Sequence, residues 1–218
     1  MAIAYDTVTT SSLWSSVTSI TFAHTCTWTN RILFVCTANN VGVNVTGVTY
    51  NGVAMTNIGG ALSNWAPSKS YLWYLIAPAT GSNNVVVSLS ASASVIAMAA
   101  SYTWVKQSWQ PDAFSLGWPT TTGSYSQSVT TVADNSWAIM CWMGRSGSGI
   151  SAWANTVVRA GIEVLLAGLF LADTNSPKTP AGTDTMNITS SSQEYTGIMA
   201  SFSPFTTSTV NSSFLAFM

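Results

Sequence analysis

Apolar positions along this chain recur every second residue or run together in short blocks, and almost nowhere at the spacing of a helix. "VNVTGVTY" runs into Asn51-Gly52 and continues as "VAMTNI". Asn-Gly between β-branched runs predicts a hairpin, because both turn residues tolerate positive φ. "SITFAHTCTW" and "RILFVCTA" read as two more strands joined at Thr29-Asn30. With those residues as the turn, Cys26 pairs with Leu33 and Cys36 with Ala23. The two sulfurs then point to opposite faces, which disfavours a Cys26–Cys36 bridge. Further strands read as "YLWYLIAP", "NVVVSLSA", "SVIAMAASYTWV", "YSQSVTTV", "SWAIMCWMGR", "EVLLAGLFLA", "TDTMNITS" and "YTGIMASFS", with turns at "PATGSNN", "WQPDAF", "ADNS", "GRSGSG" and "DTNSPKTPAG". This pattern predicts an all-β chain, a single β-sandwich with jelly-roll or Greek-key connections. The near-continuous apolar strands "AIMCWM" and "VLLAGLFLA" are expected at its centre, covered on both faces. No linker divides residues 1–204, which read as one domain; residues 205–218 form a Ser/Thr-rich connection and an apolar tail.

Composition changes the picture in one respect. Hydrophobic residues make up 47 % of the 218 positions and charged residues only 6 %, against about 25 % in ordinary domains. Ten Trp, eight Phe and seven Tyr argue for order rather than disorder. The polar surface must therefore be Ser, Thr, Asn and Gln, as in "TVTTSSLWSSVTS" and "NITSSSQEYT". With a net charge of −1, little repulsion keeps copies apart. Six scattered basic residues exclude a phosphate-binding stripe, and with it nucleic acid as a partner.

The start, "MAIAYDTVTTSS", lacks a basic segment and an apolar core of signal-peptide length. The longest apolar run, Ile162 to Ala172, contains Glu163 and is too short for a membrane helix. Three cysteines (Cys26, Cys36, Cys141) make no disulfide framework, and the odd count implies at least one free thiol. An exterior-style surface without an export signal fits a virion protein, made inside a cell and released by lysis; a mature fragment that has lost its signal is the alternative.

"VTGVTYNGVAMTNIGG", "LWYLIAPATGSNNVVVSLSASASVIAMAASYTWV" and "PDAF" resemble a β-sandwich module of phage structural proteins and large bacterial surface proteins. The shared pattern is a Val-Thr-Tyr-x-Gly hairpin, a Leu-Trp-Tyr strand closed by Ala-Pro-x-x-Gly, a Val-rich strand and a Ser-Tyr-Thr strand. The resemblance covers residues 43–114 well and 20–204 loosely. It implies a fold and a virion or extracellular setting, with no catalytic residues. Trp104 departs from it, standing where a small residue is expected, and suggests a surface contact, to a glycan or to a subunit.

Candidate chemistry is sparse. His24 is the sole histidine, and with Phe22 and Trp28 it reads as part of a packed strand face. "GRSGSG" lacks the spacing of a nucleophile elbow. One His and three dispersed Cys make no zinc set. Asp173 and Asp184 flank "DTNSPKTPAGTD", a loop able to offer calcium oxygen ligands, although such loops are common without an ion. The other acids lie mostly in turns, where Asp serves the backbone. No cofactor and no enzymatic activity are expected. Trp65, Trp109, Trp118 and Trp153 fall in loop segments, where exposed rings suit either a glycan or a neighbouring subunit.

The tail bears most directly on function. Burying Phe214, Leu215, Phe217 and Met218 contributes roughly 6–12 kcal/mol. Ordering five residues costs about 5–10 kcal/mol. Docking a single tail is marginal, whereas repetition over a symmetric assembly makes it an anchor. The alternative is that the tail folds back as the domain's last strand. The sequence thus points to a homo-oligomeric virion structural subunit (capsid-decoration, head-fibre or tail-associated) with other virion subunits as partners. A self-assembling extracellular filament subunit is the second reading, and a module binding cell-surface glycan the third.

Overall fold

The computed structural model describes residues 1–39, 42–62, 69–118, 124–144, 151–152, 155–164, 167–189 and 195–206. Among them the chain is all-β, with no helix. Its strands are β1 (Ala4–Cys26), β2 (Ile32–Asn39), β3 (Val45–Tyr50), β4 (Val53–Ala54), β5 (Thr56–Leu62), β6 (Lys69–Ile76), β7 (Gly81–Thr103) and β8 (Ala113–Leu116). They continue with β9 (Ser124–Thr130), β10 (Trp137–Gly144), β11 (Ser151–Ala152), β12 (Val157–Val164), β13 (Ala167–Asp173), β14 (Thr183–Thr189) and β15 (Tyr195–Phe202).

The two longest strands organise half of the molecule. β1 runs antiparallel along the whole of β7, while the opposite edge of β7 is shared: β3 pairs with Val85–Leu89 and β2 with Val95–Tyr102. Between those stretches lies Ser90-Ala91-Ser92-Ala93-Ser94, and β1 shifts register nearby, between Leu13 and Ser19. Small side chains and a bulge allow a sharp bend. Odd-numbered residues on both sides of it, Val85, Val87, Leu89, Val95, Ala97 and Ala99, join one apolar core with Leu33, Val35 and Trp73. The sheet is therefore folded over on itself.

The other face of the β2–β6 region packs on the sheet β12-β13-β10-β15-β8. Phe34, Leu72, Met98 and Tyr102 meet Ile139, Leu171, Ile198 and Phe202 in this central core. A third sheet, β11-β14-β9, covers the far face of β10 and β15 through Tyr125, Met186 and Ile188 against Met140, Trp142 and Met199. The result is a sandwich of stacked layers. β2, β10 and β15 are buried on both faces, which accounts for their unbroken apolar sequences.

Several expectations are corrected. Thr29-Asn30 does not join a hairpin: the end of β1 pairs with β7, and β2 pairs with β6 and β7. Cys26 and Cys36 nonetheless face different cores. Cys36 is bridged instead to Cys141, with Cα atoms 5.7 Å apart, and Cys26 is the free thiol. The partners lie 105 positions apart, so only the stacking of β2 over β10 reveals the pair. "NVVVSLSA" and "SVIAMAASYTWV" are one strand, and "EVLLAGLFLA" is divided between β12 and β13, which pair antiparallel. The Asn51-Gly52 hairpin forms as read, with φ of 49° and 76° at the turn. No helix among the described residues is long and apolar enough to cross a membrane.

Candidate interaction face

The polar clusters that carry chemistry are internally committed. Ser101 donates to Asp6 (2.8 Å), whose carboxylate also accepts from the Thr27 backbone N–H (2.8 Å). His24 Nε2 lies 3.2 Å from Ser101 Oγ and Nδ1 lies 3.1 Å from Thr9 Oγ1. Because the Ser101 proton goes to Asp6, Nε2 must donate to Ser101, and Nδ1 accepts from Thr9. His24 thus receives no proton from Ser101, so the arrangement is not a nucleophile and its base. Burial pushes His24 down to about 4, against the opposing pull of Asp6, and raises the Cys26 thiol.

A second cluster joins layers. Arg159 is the extra residue of a bulge between Val158 and Ala160, which turns its side chain inward. Its Nε and Nη2 donate to Asp173 at 2.6 and 3.0 Å, Tyr102 donates to the same carboxylate at 2.7 Å, and the guanidinium lies 4.1 Å from the Tyr5 ring centroid. Asp173 is fully buried, and desolvation raises its pKa despite these donors. Asp184 accepts instead from Asn155. The two loop acids considered for calcium therefore serve separate partners, and the described residues contain no group of three His, Cys, Asp or Glu able to hold a metal ion.

The surface carries uncovered apolar side chains as well. Among the described residues, four of the eight exposed large hydrophobic side chains fall between positions 109 and 118: Trp109 (87 % exposed), Phe114 (55 %), Leu116 (48 %) and Trp118 (85 %). β8 is an edge strand, paired only with β15, and its residues alternate between two environments. Ala113 packs toward the third core, and the Ser115 carbonyl accepts from Gln127 Nε2 at 2.9 Å. Phe114 and Leu116 sit opposite Ala200 and Ile198, whose side chains face the central core. They therefore continue that core's surface outward to the molecular edge, where each is left about half-exposed.

The neighbouring structure holds this stripe in place. Leu116 lies over Gly59 of β5, where an added Cβ would approach its Cδ2 to 2.7 Å. Gly117 is fixed by its N–H to Gly197 O (2.7 Å) and passes so close to Tyr125 that a Cβ would fall 1.7 Å from the hydroxyl. At the other end, Gln110 accepts from the Ser203 N–H (2.9 Å), and the Asp112 carboxylate accepts from the Ser201 and Ser203 hydroxyls. These contacts tie the Trp109 loop to the end of β15. Trp28, Trp104 and Trp109 all have φ near 60° (59°, 61° and 54°), a conformation that bulky side chains rarely hold.

Of the expected contact residues, Trp109 and Trp118 are exposed and flank β8, and Trp104 is half-buried, its carbonyl accepting from the Phe205 N–H (2.7 Å). Trp65, Trp153, Phe214, Leu215, Phe217 and Met218 lie outside the described residues. Phe114 and Leu116 escaped the sequence reading because "PDAFSL" presents only a four-residue strand, short enough to pass for a turn. Trp28, read as part of a strand face, is exposed in the loop after β1. Comparison of the chain with protein-family models, curated proteins and solved structures returns no match.

Proposed function

We propose that the protein is a non-enzymatic structural subunit on the exterior of a virion, self-associating through apolar contacts, with the segment after Thr206 as a docking element. The observation that carries this reading is the cluster in sequence of four exposed, uncharged side chains, Trp109, Phe114, Leu116 and Trp118, on and beside the edge strand β8. Exposed apolar patches rimmed by polar residues mark interaction sites. The scarcity of charge across the chain leaves little to oppose contact between copies. The likeness of residues 43–114 to phage β-sandwich modules supports the setting. A disulfide buried between sheets also suits a protein that spends its working life in oxidising surroundings. The test is mass in solution by light scattering across a range of concentrations, followed by electron microscopy. Multiples of 23.0 kDa are expected. A monomer at every concentration would sink the proposal, and free fibres in place of particles would favour the extracellular filament.

One observation favours a second reading. Trp109 and Trp118 present nearly whole rings to solvent, and such rings stack on sugars. Under that reading the protein is a glycan-binding module, and titration with oligosaccharides quenches tryptophan fluorescence while the mass stays monomeric.

A further inference from the structure

We infer that the free edge of β1 pairs antiparallel with the same edge of a second copy of this chain, about a two-fold axis through the bend of the folded-over sheet. This rests on the self-association proposed above and adds a surface separate from the β8 face. Among the described residues β1 pairs with β7 alone, so the other side of this 23-residue strand presents unpaired main-chain N–H and C=O groups. Such an edge pairs readily with another strand, and edges that stay single are blunted by Lys, Pro or shortness. β1 has none of these: it is long and contains no Lys, Arg, Glu or Pro. Its one acid, Asp6, is turned to Ser101 and to the Thr27 N–H.

The shape of the edge decides what fits it. It follows two legs, residues 4–12 and 17–26, with the bend between them. At about 3.3 Å per residue the two legs make roughly 60 Å of edge. A straight strand from another protein can follow one leg only. Residues 207–218 are the longest stretch of this chain outside the described residues. Fully extended they span at most about 43 Å, so they would leave one leg open. β1 of a second copy carries the same bend. Rotated by half a turn about the line that bisects the bend, it lays its second leg along the first and its first along the second, and both copies lose their open edge together. A strip of that length and roughly 10 Å deep buries on the order of 1,200 Å² over the two copies, enough for a specific interface.

The two faces of the strand fix the register. In the first leg Thr7, Thr9 and Ser11 stand opposite Ser101, Ala99 and Ala97, on the side of the core that the bend encloses. In the second leg that side carries Ile20, Phe22, His24 and Cys26, and His24 reaches across to Thr9 and Ser101. For the enclosed core to run on from one copy into the next, odd positions of the first leg must meet even positions of the second. With the axis at the bend, Thr9 meets Phe22 of the second copy and Thr10 meets its Thr21. Thr10 and Thr21 are both exposed, on the outer sides of the two legs. Within one chain the enclosed core lies between them. Across the pair their Cα atoms come to about 4.5–5.5 Å.

The test uses the full chain carrying Thr10→Cys with Thr21→Cys, oxidised mildly and run without reductant. A covalent dimer is expected, since that spacing suits a disulfide. Each single variant should stay unlinked, because the two copies of one position then sit on opposite legs. Replacing the second site by Ser19→Cys or Ala23→Cys reads a slip of two positions. No link in any of the three pairs overturns the inference, and so does equal linking by the single variants. Light scattering on the unaltered chain separates the two levels of failure. An oligomer without the link removes the β1 assignment alone, and a monomer removes the assembly reading too. As a second measurement, Thr10→Lys/Thr21→Lys sets like charges opposite each other twice and should weaken the dimer about three- to tenfold. Thr10→Lys/Thr21→Glu sets opposite charges there and should restore it. Both positions are exposed, so folding should survive, and near-UV circular dichroism checks that it does. Equal association of the two folded charge variants would refute the pairing.

Discussion

At the scale of single residues, His24 is the group whose environment departs furthest from water in a way pH can read. It is almost fully buried, neutral, and bonded through both ring nitrogens, with its pKa lowered to about 4 from an ordinary 6.5. A histidine depressed in the fold binds fewer protons there than in the unfolded chain between those two values. Its contribution is therefore fully present above pH 6.5 and is lost as the pH falls toward 4. The difference amounts to roughly 3 kcal/mol. Asp173, raised by burial, contributes with the opposite sign, so the His24 effect is best isolated by difference. Denaturant unfolding of wild type and His24→Gln from pH 7.5 to 4 should show the wild-type advantage shrinking across that window. Parallel curves would mean that His24 keeps an ordinary pKa.

At the scale of elements, the bulge in β12 is the feature whose loss should be felt most sharply. It brings Arg159 to a carboxylate with no solvent exposure on the neighbouring strand β13, and that carboxylate also accepts from Tyr102 of β7, which ties the ion pair to the other sheet. Arg159→Met leaves Asp173 charged and unpaired, and a cost of about 3–5 kcal/mol is expected. Adding Asp173→Asn removes the charge while keeping an acceptor for the Tyr102 hydroxyl, and should recover part of that loss. Chemical denaturation of both single variants and the double measures the coupling, and purely additive losses would contradict the pairing. None of this was readable beforehand, because a bulge shows in the register between strands and not in either strand's pattern. What periodicity did reveal was local: the Asn51-Gly52 turn, whose residues need positive φ, and β10, whose unbroken apolar run requires cover on both faces. The end of β1, "SITFAHTC", read as a strand, but its first part stayed hidden because its Ser/Thr alternation looks like surface loop until β7 lies beside it. β8, and with it half of the candidate face, was too short to leave a pattern.

At the scale of the whole molecule, the layers are held by apolar burial and by one covalent tie. Cys36 on β2 and Cys141 on β10 bridge the central core, closing a loop of 105 positions. In the chain-entropy account, a loop of about that length restricts the unfolded state by some 4–5 kcal/mol, and removing such a bridge typically costs about 2–5 kcal/mol. Both sulfurs belong to fully buried residues, so a thiolate reductant reaches them only after the sheets part. Two behaviours follow for the native protein. Mild reductant at neutral pH and room temperature should leave the bridge intact for as long as the fold persists. The same reductant in partial denaturant should open it irreversibly and shift the unfolding midpoint downward. The Cys36→Ala/Cys141→Ala variant, which retains Cys26, should show that lower midpoint without any reductant and stop responding to it. If thiol counting under native conditions found the bridge open within minutes, the two middle sheets would have to separate far more readily than their packing allows. The stacked architecture would then need to be held by contacts between copies rather than within one.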